Sequence, residues 1–225
     1  MASEAKVGET DLHIFAVADV AQQATNSIIH YRTQIENYIA SQPSFLTSLT
    51  ALPSDPLAPP IVKEMLSAGT LAGVGPMAAV AGAIAGYVGQ DLMAEGFSEI
   101  SVENGGDVFL NRSKECVAAI FAGPSPLSNR IGIKIPKTMM PLGVCTSSGT
   151  VGHSLSLGQA DSVTVLSPSV ALADAAATRL GNEIKKAEDL DHALTIAKGL
   201  SGVIGVVIVM GPKLGAWGEI NLVKL

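Results

Sequence analysis

Ser162-Val163-Thr164-Val165-Leu166-Ser167-Pro168-Ser169-Val170-Ala171-Leu172-Ala173-Asp174-Ala175-Ala176-Ala177-Thr178 is the stretch on which the reading of the fold turns. Asp161 to Leu166 predicts a strand, and Ser169 can accept a hydrogen bond from the first unpaired N–H groups of a helix that Gly181 ends. Inside that helix Asp174 and Thr178 stand four residues apart, so they share one face of a surface otherwise lined by alanine. A carboxylate and a hydroxyl are hard oxygen donors of the kind Mg²⁺ or Ca²⁺ accepts beside water or phosphate oxygens. The pair also suits a plainer role, with Asp174 favouring the helix dipole and Thr178 bonding a carbonyl one turn back.

Upstream of this stretch, Leu142 to Thr146 predicts a strand running into the Ser- and Gly-rich loop Ser147-Ser148-Gly149-Thr150-Val151-Gly152. Cys116 to Phe121 and Ile131 to Ile135 predict two more strands. Ser98 to Glu103, Asn104-Gly105-Gly106-Asp107 and Val108 to Leu110 read as a hairpin, because Asn and Gly accept the positive φ of short turns. Gly105 and Gly106 also let a backbone lie against a planar ring or a phosphate. Pro76 opens a helix that Gly96 stops, with Ala78, Ala79, Ala81, Gly82, Ala83, Ala85 and Gly86 giving it a smooth face for tight packing or for a ligand. Tyr87, beside that face, is a candidate to stack on a ring.

Nearer the amino terminus, Asp11 to Ala18 predicts a strand and Asp19 a cap for a long helix ending at Ser41-Gln42-Pro43. Residues 52–60 are proline-rich and make a connection, followed by a short helix from Ile61 to Ser67 closed by Gly69. After Gly181 come a helix from Asp189 to Lys198, a buried strand from Val203 to Met210 and an edge strand from Glu219 to Val223. Strands and helices mix without strict alternation, which predicts an α+β fold with mixed, largely antiparallel sheets. The expected organisation is a single domain over 1–225, or two intertwined halves joined near 52–60.

Composition narrows the function classes. Hydrophobic residues make up 48% and aromatic residues 4% of the 225, so the core is built from small aliphatic side chains. A net charge of -6 and the absence of a basic stripe argue against nucleic acid as a partner. The uncharged run from Leu71 to Val88 is Ala- and Gly-rich with Pro76 inside it, and reads as a buried helix with no membrane partner. Charges in the first ten residues argue against export, so a cytoplasmic location is expected. Cys116 and Cys145 read as free thiols. His13, His30 and His192 have no ligand spacing to one another. Cys145 and His153 flank the Ser/Gly loop and are candidate catalytic residues, as nucleophile and base.

Several of these segments together resemble the ApbE-type flavin transferases, which move FMN from FAD onto a protein Thr or Ser. Ser162 to Ser167 followed by Ala173 to Thr178 is similar to the family's "VTV…AD-x-x-A-T" element, and Val102 to Asp107 to its "GGD" turn. Ala81 to Tyr87 resembles "GGIAKGY", and Cys145 to Gly149 resembles its "TSG" loop. The likeness runs from about Met77 to Gly181. It implies an ApbE-like fold with a site for FAD or FMN and Mg²⁺. Asp174 and Thr178 would lie on the metal, and Asn104, Gly105, Gly106, Asp107, Thr146, Ser147, Ser148 and Gly149 around the nucleotide. The family's lysine position is Ala85 here, and its "H-x-x-D-P-x-T-G" stretch is reduced to His153-Ser154.

Three functions follow as expectations. One is an ApbE-like protein acting on a small-molecule nucleotide, with FMN transfer to an acceptor protein or FAD hydrolysis as its reaction. A second is a sulfur-handling or redox protein using Cys145. The third is a non-enzymatic assembly module, a homo-oligomer whose smooth helix packs on a partner subunit.

Overall fold

A computed structural model describes residues 1–150 and 157–225. Eight strands form one sheet in the order β1 (Ala2–Val7), β2 (Thr10–Phe15), β3 (Ile100–Asn104), β4 (Asp107–Asn111), β7 (Leu142–Ser147), β8 (Ser162–Ser167), β9 (Gly205–Met210) and β10 (Lys213–Gly218). A smaller sheet has the order β11 (Leu222–Lys224), β6 (Ile131–Ile135) and β5 (Cys116–Ala119). Every strand pair is antiparallel, as in β4 on β7, where Asp107 faces Cys145, and β7 on β8, where Thr146 faces Thr164. The α+β reading of the sequence is therefore the observed architecture.

The helices are α1 (Ala21–Ser41), α2 (Ser44–Thr47), α3 (Pro60–Ala72), α4 (Val80–Ala94, entered through a 3₁₀ turn from Pro76 to Ala79), α5 (Val170–Glu183) and α6 (Leu190–Gly199). Alternation of side chains along the strands sorts the core into two layers. Phe109, Cys145, Val163, Val165, Val206 and Ile208 pack toward the helices. Leu110, Leu142, Val144, Leu166, Val207 and Val209 pack toward the small sheet with Ile120, Ile133 and Ile135.

The Pro76–Ala94 segment is long and apolar enough to cross a membrane by length and composition alone. Here it is a core helix, and α4 lies against α1, α3, α5, β3 and β4. Its smooth face meets α5. A Cβ placed on Gly82 would stand 2.6 Å from the Val170 carbonyl oxygen and 2.7 Å from Asp174 Cβ, so only glycine lets the two helices approach this closely. That internal packing uses the surface expected to meet a partner subunit.

Three local readings are corrected. The helix expected to close at Gly69 runs to Ala72 and is capped by Gly73 at φ 72, while Gly69 is a tight contact with the Val74 carbonyl. The helix expected to end at Gly181 runs to Glu183. The carboxyl-terminal edge strand is shifted to Leu222–Lys224, and β10 precedes it unanticipated. The first residues form β1, with Ser3 and Ala5 turned inward between exposed neighbours.

Candidate functional site

The site begins with the β3–β4 hairpin. Asn104 pairs with Asp107 across a two-residue turn in which Gly105 has φ 62 and Gly106 φ 104, the left-handed region that favours glycine. The turn is pinned on both sides, because Gly106 N donates to Glu103 Oε1 at 2.7 Å and Thr146 N donates to the Gly106 carbonyl at 3.2 Å. It sets Asp107 at the start of β4, where its side chain is buried.

On the facing helix, Ser169 caps α5 as expected, its Oγ accepting from Leu172 N at 3.2 Å. Val170 then fits against two glycines, with its Cα 2.7 Å from the Cβ position of Gly143 and its carbonyl oxygen against Gly82. One turn on, Asp174 Oδ2 accepts the Gly82 N–H at 2.9 Å, in the first turn of α4. The neighbouring Ala81 carbonyl accepts from Asn104 Nδ2 at 3.0 Å. The hairpin, α4 and α5 thus converge on one spot.

Two grooves meet there. One, of about 530 Å³, is floored by Val108, Val144, Thr146 and Thr164 of the main sheet and edged by Gly105, Gly106, Ser147 and Ser148. The other, of about 360 Å³, runs past Leu46, Leu49, Val74, Gly75 and Met77. Ala81, Asp107, Asp174 and Thr178 line both.

The electrostatics of this junction are unbalanced. Burial pushes the Asp174 carboxyl up to about 7, with the Gly82 and Ala81 N–H groups pulling the other way. Burial pushes Asp107 well above the carboxylate range, and the charge of Asp174 adds to it. Asp107 Oδ1 is buried with no hydrogen-bond partner, and no Lys or Arg lines either groove among the described residues. Thr178 differs from the threonines of α1, α3 and α6. Thr25, Thr33, Thr70 and Thr195 each donate to the carbonyl four residues back, whereas the Thr178 hydroxyl has no partner among the described residues. Two carboxylates and a hydroxyl are hard oxygen donors, of the kind that suits an ion keeping water or phosphate oxygens as its other ligands. A purely protein-built metal site is a different matter. No three of His, Cys, Asp and Glu come together to hold an ion among the described residues.

The remaining candidates divide. Thr146, Ser147 and Ser148 lie in the wider groove, where the Thr146 hydroxyl is 2.9 Å from that of Thr164. Gly149 does not line either groove. Its N–H donates to the Ala160 carbonyl at 2.8 Å, and a Cβ there would meet the Gly158 carbonyl oxygen at 2.4 Å, so it is a packing glycine. Tyr87 also lies away from the grooves, with its ring centroid 4.8 Å from that of Tyr31. Burial and a hydrogen bond to Glu64 push its hydroxyl up to about 12. His153 is outside the described residues.

Cys145 is fully buried, its thiol donating to the Val170 carbonyl at 3.4 Å. Burial first, and then the charges of Asp107 and Asp174, push this thiol well above its ordinary range, the reverse of what a nucleophile needs. The observation that motivated a sulfur-handling role is thereby removed. A thiol-specific reagent is expected to modify the half-buried Cys116 in the folded protein and Cys145 only on unfolding; prompt labelling of Cys145, located by peptide mapping, would contradict this burial.

The sequence marks Asp107 as a turn residue and, through the family resemblance, as a neighbour of the nucleotide, but gives no sign that its carboxyl meets Asp174, 67 residues later in the chain. Ala81 and Gly82 were noted as small residues, without the backbone groups that Asn104 and Asp174 engage.

An antiparallel sheet backed by helices, with acidic residues gathered where a glycine hairpin meets two helix turns, defines an ApbE-like α+β protein. The fold superposes on the flavin transferase ApbE from Vibrio cholerae with TM-scores of 0.61 (a mutant form) and 0.58, at 13% and 12% identity, covering 97% of this chain and 96% of that one. Among curated proteins it is similar to the UPF0280 protein of Methanococcus aeolicus, 45% identical over 88% of this chain and 81% of that one. It is also similar to the UPF0280 protein of Methanothrix thermoacetophila, 43% identical over 89% and 84% of the two chains. Residues 2–200 match the family described as AbpE bacteria, and the chain belongs to that family.

Proposed function

We propose that the protein binds FAD with its diphosphate at the junction of the two grooves and Mg²⁺ held there by Asp107, Asp174 and Thr178. The observation that carries this reading is the pair of grooves sharing a buried carboxylate, Asp107, and a half-buried one, Asp174, with no Lys or Arg lining them among the described residues. A diphosphate and two carboxylates repel each other, so a cation is the component that lets them share this space. Bound there, it would neutralise the phosphates and polarise the phosphorus toward attack. The Gly82 N–H orients Asp174, Asn104 holds the Ala81 carbonyl, and the two grooves take the two halves of the dinucleotide, one on each side.

The reaction is cleavage of the FAD diphosphate. The phosphorus–oxygen bond to AMP breaks, FMN is joined to the hydroxyl oxygen of an acceptor protein or of water, and the hydroxyl proton passes to solvent. Two free cysteines suit the reducing cytoplasm as its location.

FAD with Mg²⁺ is expected to raise the melting temperature of the purified protein, and FAD with EDTA to leave it unchanged. Equal shifts in both, or none in either, would end this reading. The pH dependence has a definite sign. Between about pH 4 and 7 the folded apo chain holds a proton on Asp174 that the unfolded chain has released, so apo stability falls as pH rises through that window. Mg²⁺ needs the ionised carboxylates, so its stabilising effect rises from pH 6 to pH 8. Calorimetric scans across that range with and without Mg²⁺ check both trends.

A further inference from the structure

The wider groove has a wall that the flavin site does not account for. Ala118, Ala119, Ile120 and Phe121 all line it. Ala118 and Ala119 are the last two residues of β5 and their side chains point to opposite faces, so a cavity touching both, and Ile120 and Phe121 just beyond them, lies along the strand's edge and not on one of its faces. β5 is the outer strand of its sheet, with β6 on one side and no strand on the other among the described residues. Ile120 N donates to the Ile131 carbonyl at 3.0 Å and its own carbonyl accepts from Asn129 N at 2.9 Å, which fixes the even residues as those facing β6. By alternation Val117 and Ala119 turn their N–H and C=O groups outward.

Open edges are ordinarily blunted by lysine, proline or a bulge, because they invite pairing with another chain. β5 reads Cys-Val-Ala-Ala and carries none of these, its protection being its four-residue length, and Val117 and, just past the strand, Phe121 expose 47% and 54% of their surface. The groove that follows this edge leads to Asp107, Asp174 and Thr178. An undefended strand edge opening onto a reactive centre has a polypeptide backbone as its complement, since only a chain repeats donors and acceptors at the strand period.

We infer that an extended segment of an acceptor polypeptide adds to the open edge of β5 as a fourth strand of the small sheet, bringing a side-chain hydroxyl along the groove to the carboxylate pair. This rests on the transfer reading given above. Glu9, Asp107 and Asp174 line the groove and no basic residue does among those described, so the segment is free of acidic side chains near its hydroxyl.

The test uses the full chain and a fluorescein-labelled heptapeptide, Lys-Val-Thr-Val-Thr-Val-Lys, read by fluorescence anisotropy. Saturable binding is expected, weakened at least tenfold when alternate peptide nitrogens are methylated. Val117→Pro removes an outward N–H and should cause a similar loss while the Mg²⁺–FAD thermal shift stays unchanged. Val117→Lys, which keeps the backbone intact and charges the edge, serves should the proline variant fold poorly. Undiminished binding by the methylated peptide or by both variants would overturn the inference, as would no peptide binding in a protein that keeps its flavin shift. A dimer in sedimentation that Val117→Lys dissolves would also overturn it, by assigning the edge to a second copy of this chain. Peptide binding without any flavin shift would sink the flavin reading and leave the strand-addition site standing.

Discussion

Asp174→Asn is expected to weaken Mg²⁺-dependent FAD binding at least a hundredfold, about 2.8 kcal/mol, while making the apo protein more stable at pH 8. Both effects have one cause. The carboxylate is held in a half-buried site against Asp107, with N–H groups of α4 as its compensation among the described residues. Asparagine keeps an acceptor for the Gly82 N–H and removes the charge, so the unfavourable burial and the repulsion of Asp107 go together. The cation loses a ligand in the same step. This trade of stability for function separates a binding site from a structural carboxylate, whose loss would lower both. Isothermal titration with Mg²⁺ and FAD, beside apo thermal scans at pH 8, gives the two readouts; a variant that binds normally, or is destabilised, contradicts the assignment.

Gly82→Ala is the second large effect. Its Cβ would sit 2.6 Å from a backbone oxygen and 2.7 Å from Asp174 Cβ, neither of which is the end of a flexible side chain. Helices α4 and α5 must separate, at a cost of about 1–3 kcal/mol from overpacking. The separation also draws the α4 N–H groups off Asp174, so flavin affinity falls along with stability. Denaturant titration should show the lower midpoint. A variant as stable as the parent would mean that the helices do not cross as closely as described.

Much of this was legible in local sequence, because the relevant signals act over a few residues. Asn104-Gly105-Gly106-Asp107 could form little but a tight hairpin, and Ser169 ahead of an alanine-rich run is a cap. The four-residue spacing of Asp174 and Thr178 placed both on the grooves. What stayed hidden depends on tertiary packing. Asp107 meets Asp174 only because β4, α4 and α5 are stacked, and no local pattern encodes that. Cys145 stands next to an exposed loop in sequence, yet strand alternation turns it inward beneath Val170. Tyr87 follows the smooth face of α4 but points toward Tyr31, on the far side from the grooves. Gly69 and Gly181 look like helix stops because glycine commonly is one; both stand inside helices, Gly69 at a close approach to the Val74 carbonyl and Gly181 with its carbonyl against Gly158. β10 escaped notice because Lys-Leu-Gly-Ala-Trp-Gly offers neither alternation nor β-branched residues.

The most direct test is a crystal structure with FAD and Mn²⁺, the latter chosen for its anomalous scattering in place of Mg²⁺. The result expected is an anomalous peak in contact with Asp174 Oδ, Thr178 Oγ1 and the diphosphate, with the two halves of the dinucleotide extending into separate grooves. A flavin bound elsewhere, or a peak remote from both side chains, would contradict the assignment of this junction as the site.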